Sequence, residues 1–177
     1  YEKLSILDSA ESYYLKGLTH AEEQEDQYER LKILNYLGHV NIQKGQKDSR
    51  FYDVAWDYLQ RAQDLTNPKT RTENIIYNNR FRGFYHLDQE AYSKAIQSFQ
   101  RNLAQSQKKK GAWVINTLLA HYNIANAYLI WGDYPAAKPY IDSMALSPLN
   151  LSTGPYKARF YFAKSRYFRG TGNLDSL

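Results

Sequence analysis

Small and bulky apolar residues recur along this chain at the spacing of one α-helix face. One pattern occurs four times: an alanine, a bulky residue four positions later, and a third marker residue three positions after that. The alanines are Ala10, Ala55, Ala95 and Ala137. Residues so spaced share one face of a helix, and the alternation typical of strands is scarce. Recurrence at about 40 to 45 residues predicts an all-α chain of stacked helical repeats.

The periodicity and its breakers predict eight helices in paired units. Gly45 is expected to end the second helix, Gly132 and Asp133 to form a turn, and Gly170 and Gly172 to follow the last helix. The predicted helices cover approximately residues 4–23, 27–44, 51–66, 71–87, 90–109, 112–131, a stretch ending near 145, and 156–169. They form one repeat domain over 1–177, with a half unit at 1–23, pairs at 27–66, 71–109 and 112–146, and a partial unit at 156–177.

The last five residues, 173–177, read as the start of another helix. Terminal repeats of stacked proteins need a polar cap, and none is visible in this segment. We therefore expect the chain to be a piece of a longer protein.

The segment 124–137, IANAYLIWGDYPAA, resembles the tetratricopeptide repeat (TPR) family. In that family a small residue on the first helix of a pair lets the second helix approach closely at an alanine. Here the small first-helix residues are Gly38, Gly83, Ala125 and Ala163. The resemblance implies a right-handed superhelical α-solenoid of antiparallel helix pairs. Pro139, inside the second helix of this segment, is expected to delay or kink that helix.

In a TPR superhelix the first helix of each pair lines a concave groove, and positions relative to the small residue decide which side chains face inward. The resemblance therefore implies a peptide-binding groove that combines aromatic rings with scattered cations. Its candidate residues are Lys32, Asn35, His39, Tyr77, Arg80, Phe84, Tyr122, Asn126, Lys157, Phe160, Lys164 and Tyr167.

Aromatic residues and arginine make strong anchors at interfaces, and the chain has a net charge of +5. We therefore expect a protein- or peptide-binding scaffold whose partner is acidic, with a homodimer through exposed helix faces as another possibility. The turns also resemble, loosely, the TPR regions of bacterial signalling and regulatory proteins.

Two alternative functions stay open. Helical repeats can read RNA, although the basic excess is modest and nucleic acid is the less favoured partner. A glycan- or small-molecule-binding accessory protein would need exposed tryptophans, whereas Trp56, Trp113 and Trp131 are expected to pack between helices.

The sequence offers no chemistry for catalysis. It has no cysteine, no helical zinc spacing among its four histidines, and neither a phosphate loop nor a nucleophile elbow. We therefore expect neither enzyme activity nor a metal or cofactor. No apolar run is long enough to insert in a membrane, and the absence of cysteine does not decide the compartment.

Overall fold

The computed structural model describes residues 2–108, 114–147 and 154–172, and within them every regular element is an α-helix. Each of these helices overlaps one predicted from the sequence, so the all-α prediction is confirmed. The predicted start of a helix at 173–177 lies outside the described residues, as does Trp113. The helices are α1 (Glu2–Glu23), α2 (Gln27–Gly45), α3 (Arg50–Asp64), α4 (Thr72–Asp88), α5 (Tyr92–Gln107), α6 (Val114–Trp131), α7 (Tyr134–Ala145) and α8 (Gly154–Thr171).

The chain divides into two compact units, Tyr1–Glu90 and Ala91–Leu177. In the first unit, α2 packs against α1, α3 and α4, and α3 also packs against α4. In the second, α6 packs against α5, α7 and α8, and α7 also packs against α8. The predicted pair α4–α5 has one helix in each unit and stays a prediction.

Polar caps and positive backbone angles fix where several helices begin and end. The Asp26 carboxylate accepts hydrogen bonds from the backbone N–H groups of Tyr28 and Glu29 and so caps α2. Asp133 caps α7 in the same way. Gly132, just before it, has φ of +88°, a conformation that glycine adopts without strain. The predicted turn between α6 and α7 is therefore confirmed.

Gly38 lies where α2 and α3 cross. A β-carbon added there would lie 2.6 Å from side-chain carbons of Leu59 and 3.4 Å from the Ala55 carbonyl oxygen. Leu59 and Ala55 are fully buried, so this space is already filled. The close approach of the two helices thus depends on the missing side chain at Gly38.

Buried asparagines connect α2, α3 and α4. The Asn78 amide donates to the Asn35 side-chain oxygen at 2.8 Å and to the Leu59 carbonyl at 3.0 Å. The Asn35 amide in turn donates to the Asn74 carbonyl at 3.3 Å. A buried amide is costly without a partner, so these bonds favour one register of the three helices.

In the second unit, small residues again lie at the centre of the core. Ala125 of α6, Ala137 and Ile141 of α7 and Ala163 of α8 are buried in one cluster. Pro139 lies inside α7, which nevertheless begins directly after its Asp133 cap. The helix therefore does not start late, and the other expectation, a kink at Pro139, stays a prediction.

The helix α2 ends at Gly45 as predicted, whereas Gly170 lies inside α8 and not after it; both glycines pack against an aromatic ring. Gly45 is the last residue of α2 and has no positive φ; a β-carbon there would lie 2.7 Å from the Tyr52 ring. Gly170 lies inside α8, against the Tyr134 ring of α7. Both positions favour glycine because an aromatic ring occupies the space of a side chain. Gly172, after the helix, has φ of +73°.

Candidate binding face in the first unit

Aromatic rings from three helices meet on one side of the first unit. Tyr14 of α1 stacks on Tyr36 of α2, with ring centroids 5.5 Å apart. Tyr36 is next to Tyr77 of α4, at 5.9 Å. His39, one turn beyond Tyr36, stacks on Phe81 of α4 at 4.4 Å. Together with Phe84, which lies 6.3 Å from Phe81, these six residues form the aromatic face.

The aromatic face has a buried floor and a partly accessible rim. Phe81 is 5% exposed, whereas the other five rings are half-buried. Phe81 contacts Tyr36, His39, Tyr77 and Phe84. A fixed ring beneath partly accessible rings holds the rim in place, which lowers the entropy lost when a ligand binds.

One cation and a neutral histidine set the electrostatics of the aromatic face. The Arg80 guanidinium lies 5.1 Å from the centroid of the Tyr77 ring. Burial, and then the charge of Arg80, lower the pKa of His39 from 6.5 to about 4. His39 is therefore neutral at pH 7, and its Nε2 lies 3.1 Å from the side-chain nitrogen of Gln43.

Burial also acts on Tyr36 of the aromatic face. It raises the pKa of Tyr36 above its usual value, and the neighbouring hydroxyls of Tyr77 and Tyr14 raise it further. The Tyr36 hydroxyl therefore stays protonated at neutral pH.

The structure brings four of the predicted groove residues together: His39, Tyr77, Arg80 and Phe84. Asn35, on the same helix as His39, is fully buried in the asparagine network and has no surface to offer a ligand. Lys32 pairs with Glu29 on its own helix at 3.2 Å. Whether any of these residues binds a ligand stays a prediction.

The remaining predicted residues lie in the second unit, on α6 and α8. Tyr122, Phe160 and Tyr167 pack against the core around Ala125. Asn126 accepts a hydrogen bond from Arg166 at 3.0 Å.

The two lysines of this set lie on α8 beside aromatic rings of the same helix. Lys157 lies 6.0 Å from the Tyr161 ring and Lys164 lies 5.5 Å from the Phe168 ring. In the second unit the predicted residues therefore pack against the core or pair with side chains of α6 and α8, whereas four of those in the first unit share one surface.

Tyr14, Tyr36 and Phe81 belong to the aromatic face but were not predicted. Tyr36 and Phe81 each lie two positions before the small residue of their repeat, Gly38 and Gly83. A ring at that position in two repeats is the signal that could have identified them. Tyr14 comes from the half unit at the start of the chain, which has no predicted groove position.

The tryptophans differ in their surroundings. Trp131 is 51% exposed, so the expectation that it packs between helices is wrong. It lies at the end of α6, where its ring stacks on Tyr92 of α5 and on Tyr128 of α6. Trp56 is half-buried, with the Arg82 guanidinium 4.4 Å from its ring.

Within the described ranges, no three histidine, aspartate or glutamate side chains lie close enough together to hold a metal ion. None of the helices there has both the length and the apolar character needed to cross a bilayer. The chain has no match among family models, curated proteins or solved structures.

Proposed function

We propose that this chain is a non-catalytic scaffold whose aromatic face binds an extended peptide. The helix pairs stack as a right-handed TPR-like solenoid, and the aromatic face lies in its concave groove. The crossing of α2 and α3 at Gly38 and Ala55 supports this arrangement, since the TPR resemblance implied a small residue and an alanine at those positions. Ala125 and Ala137 share one core in the second unit.

The observation that carries the proposal is the aromatic face itself, which presents five partly accessible rings beside one guanidinium. Tyrosine and arginine are enriched among residues that dominate binding energy. Rings supported from below accept apolar side chains, and Arg80 pairs with a carboxylate. The preferred partner is therefore a peptide that combines apolar and acidic residues.

The role of this scaffold within a longer protein is taken from the loose resemblance to bacterial signalling proteins. In that context the chain is the sensory or partner-binding arm of a regulator.

RNA binding is the alternative that uses the net charge of +5. RNA binding depends on phosphate contacts, so its affinity falls steeply between about 50 and 200 mM salt. The affinity of a peptide for the aromatic face changes little over this range. Glycan binding is the other alternative, and the exposed Trp131 is the observation in its favour.

Selection from a random peptide library displayed on phage tests the proposal. The wild-type chain should enrich peptides that carry acidic residues next to aromatic or aliphatic ones. Arg80→Glu should shift the enriched peptides from acidic to basic residues, because the sign of the charge at the aromatic face is reversed. The matched variant Arg169→Glu, at an exposed position of α8, should leave the preference unchanged. Absence of any enriched sequence, or the same acidic preference in Arg80→Glu, would contradict the proposal.

A further inference from the structure

A separate cavity lies where α2 and α4 begin, beside the connection between α3 and α4. Its volume is about 240 Å³. Drug-sized ligands occupy roughly 300–1,000 Å³, so this space suits a single amino-acid unit. The described lining residues are Gln27, Tyr28, Leu31, Asn67, Lys69, Thr70, Arg71 and Asn74.

The charged residues among the described lining of this cavity are all basic. Lys69 and Arg71 are cations, and none of the described residues that line it is acidic. The Arg71 guanidinium lies over the Tyr28 ring at 4.2 Å from its centroid. Stacking on a ring fixes the plane of the guanidinium and leaves the N–H groups at its edge for an acceptor. An anionic group, a carboxylate above all, fits these donors.

Asn74, one of the residues that line the cavity, has a buried side-chain acceptor without a donor among the described residues. Asn74 is 2% exposed, and its side-chain nitrogen donates to the Tyr28 carbonyl at 3.3 Å. This bond fixes the orientation of the amide, because the reversed orientation would set its oxygen against a carbonyl oxygen. The Asn74 Oδ1 atom accepts no hydrogen bond from any described residue. A buried acceptor without a donor costs free energy, and a ligand with an N–H group would remove that cost.

We propose that this cavity binds an acidic amino-acid unit. Lys69 and Arg71 hold its carboxylate, Asn74 Oδ1 accepts its N–H, and its methylene groups lie against Tyr28 and Leu31. The same chemistry is offered by a free acidic amino acid and by a glutamate or aspartate residue within a peptide. The site is separate from the aromatic face and does not depend on the function proposed for it.

Titrations of the ¹⁵N-labelled chain followed by NMR test this proposal. Three probes are compared at matched ionic strength: sodium L-glutamate, L-glutamine, and the capped peptide acetyl-Gly-Glu-Gly-amide. We expect saturable shifts of the Asn74 side-chain amide and of the backbone amides of Thr70 and Arg71 with at least one acidic probe. Glutamine should produce none, since it lacks the carboxylate. Saturation with glutamate alone identifies a free amino acid as the ligand, and saturation with the peptide alone identifies a residue of a partner chain.

A charge-matched pair of variants completes the test. Lys69→Gln with Arg71→Gln should weaken binding by about a hundredfold, since two charge-assisted hydrogen bonds are lost and each is worth about tenfold. Lys16→Gln with Lys47→Gln removes the same charge at exposed positions outside the cavity and should leave the affinity unchanged. Four results would overturn the proposal: no saturable shift with either acid, equal shifts with glutamine, no loss in the cavity variant, or equal loss in both variants.

Discussion

At the scale of single residues, Gly38 shows a helix position where packing opposes intrinsic propensity. Alanine is favoured over glycine inside a helix by about 1 kcal/mol. At Gly38 the added carbon would lie 2.6 Å from the buried Leu59 side chain, and overpacking a core costs about 1–3 kcal/mol. The cost of overpacking should exceed the gain in propensity.

We therefore expect Gly38→Ala to lower the free energy of unfolding by about 1 kcal/mol, the central difference between the two effects. Gly17→Ala is the matched control, because its new carbon would approach only the terminal methyl group of Ile33, at 3.3 Å. It should be neutral or stabilising. Urea denaturation of both variants measures the difference, and equal effects would show that the crossing tolerates a side chain at Gly38.

His39 should make stability depend on pH. Its folded-state pKa is about 4, below the ordinary value of 6.5, so between these values the unfolded chain binds more protons than the folded one. This stabilising contribution is complete above pH 6.5 and is lost as the pH falls towards 4. From pH 7 to pH 5 we expect a loss on the order of 1 to 2 kcal/mol in the wild type.

Comparison with His39→Gln isolates the contribution of His39 to the pH dependence of stability. Urea denaturation at pH 7 and at pH 5 should show a smaller loss in the variant, because its side chain does not titrate. If the wild type and His39→Gln lose the same stability over this range, the histidine is not held in its neutral form.

At the scale of elements, the apolar periodicity was sufficient to predict the helices. Successive turns place core residues on one face, and this local pattern does not depend on the neighbouring helix. The roles of Gly45, Gly170 and Asn35 could not be predicted from it. Each depends on which side chain of another helix occupies the adjacent space: Tyr52, Tyr134 and Asn78 respectively.

A buried lysine, which the sequence pattern did not reveal, connects α2 to α1. The Lys44 ammonium lies 2.6 Å from the carboxylates of both Asp8 and Glu11, and its side chain is 5% exposed. Burial alone would lower the pKa of Lys44, but its hydrogen bonds to the two carboxylates raise it above the usual value. Asn41 donates to the same Glu11 carboxylate at 2.8 Å.

Lys44→Met should destabilise α1, because it leaves the largely buried Glu11 carboxylate without its cation. We expect a loss of about 2 kcal/mol and faster hydrogen exchange of the α1 amides, read by mass spectrometry. Lys138→Met removes an ion pair of the same length, 2.6 Å, between exposed side chains one helical turn apart. It should have little effect. Unchanged exchange in α1 of the Lys44 variant would show that apolar contacts alone hold this helix.

At the scale of the whole molecule, the sequence predicted helix pairs and repeat spacing, and the TPR resemblance supplied the idea of a groove. Groove positions taken from the TPR resemblance included His39, Tyr77, Arg80 and Phe84, which share one surface. They did not include Tyr14, Tyr36 or Phe81. A rule based on positions within each repeat cannot tell which rings of neighbouring helices meet. That depends on how the helices cross, which is a property of the folded unit.

The proposed function depends on the aromatic face as the place where a partner binds. The most direct measurement is the affinity, by isothermal titration calorimetry, of one peptide selected from the library. Tyr77→Ala should weaken its binding by about tenfold or more, as truncation of a dominant interface residue does. Tyr161→Ala, which removes an exposed ring in the second unit, should bind as the wild type does. Circular dichroism confirms that both variants are folded. Equal affinity of Tyr77→Ala and the wild type, or greater loss in Tyr161→Ala, would contradict the account.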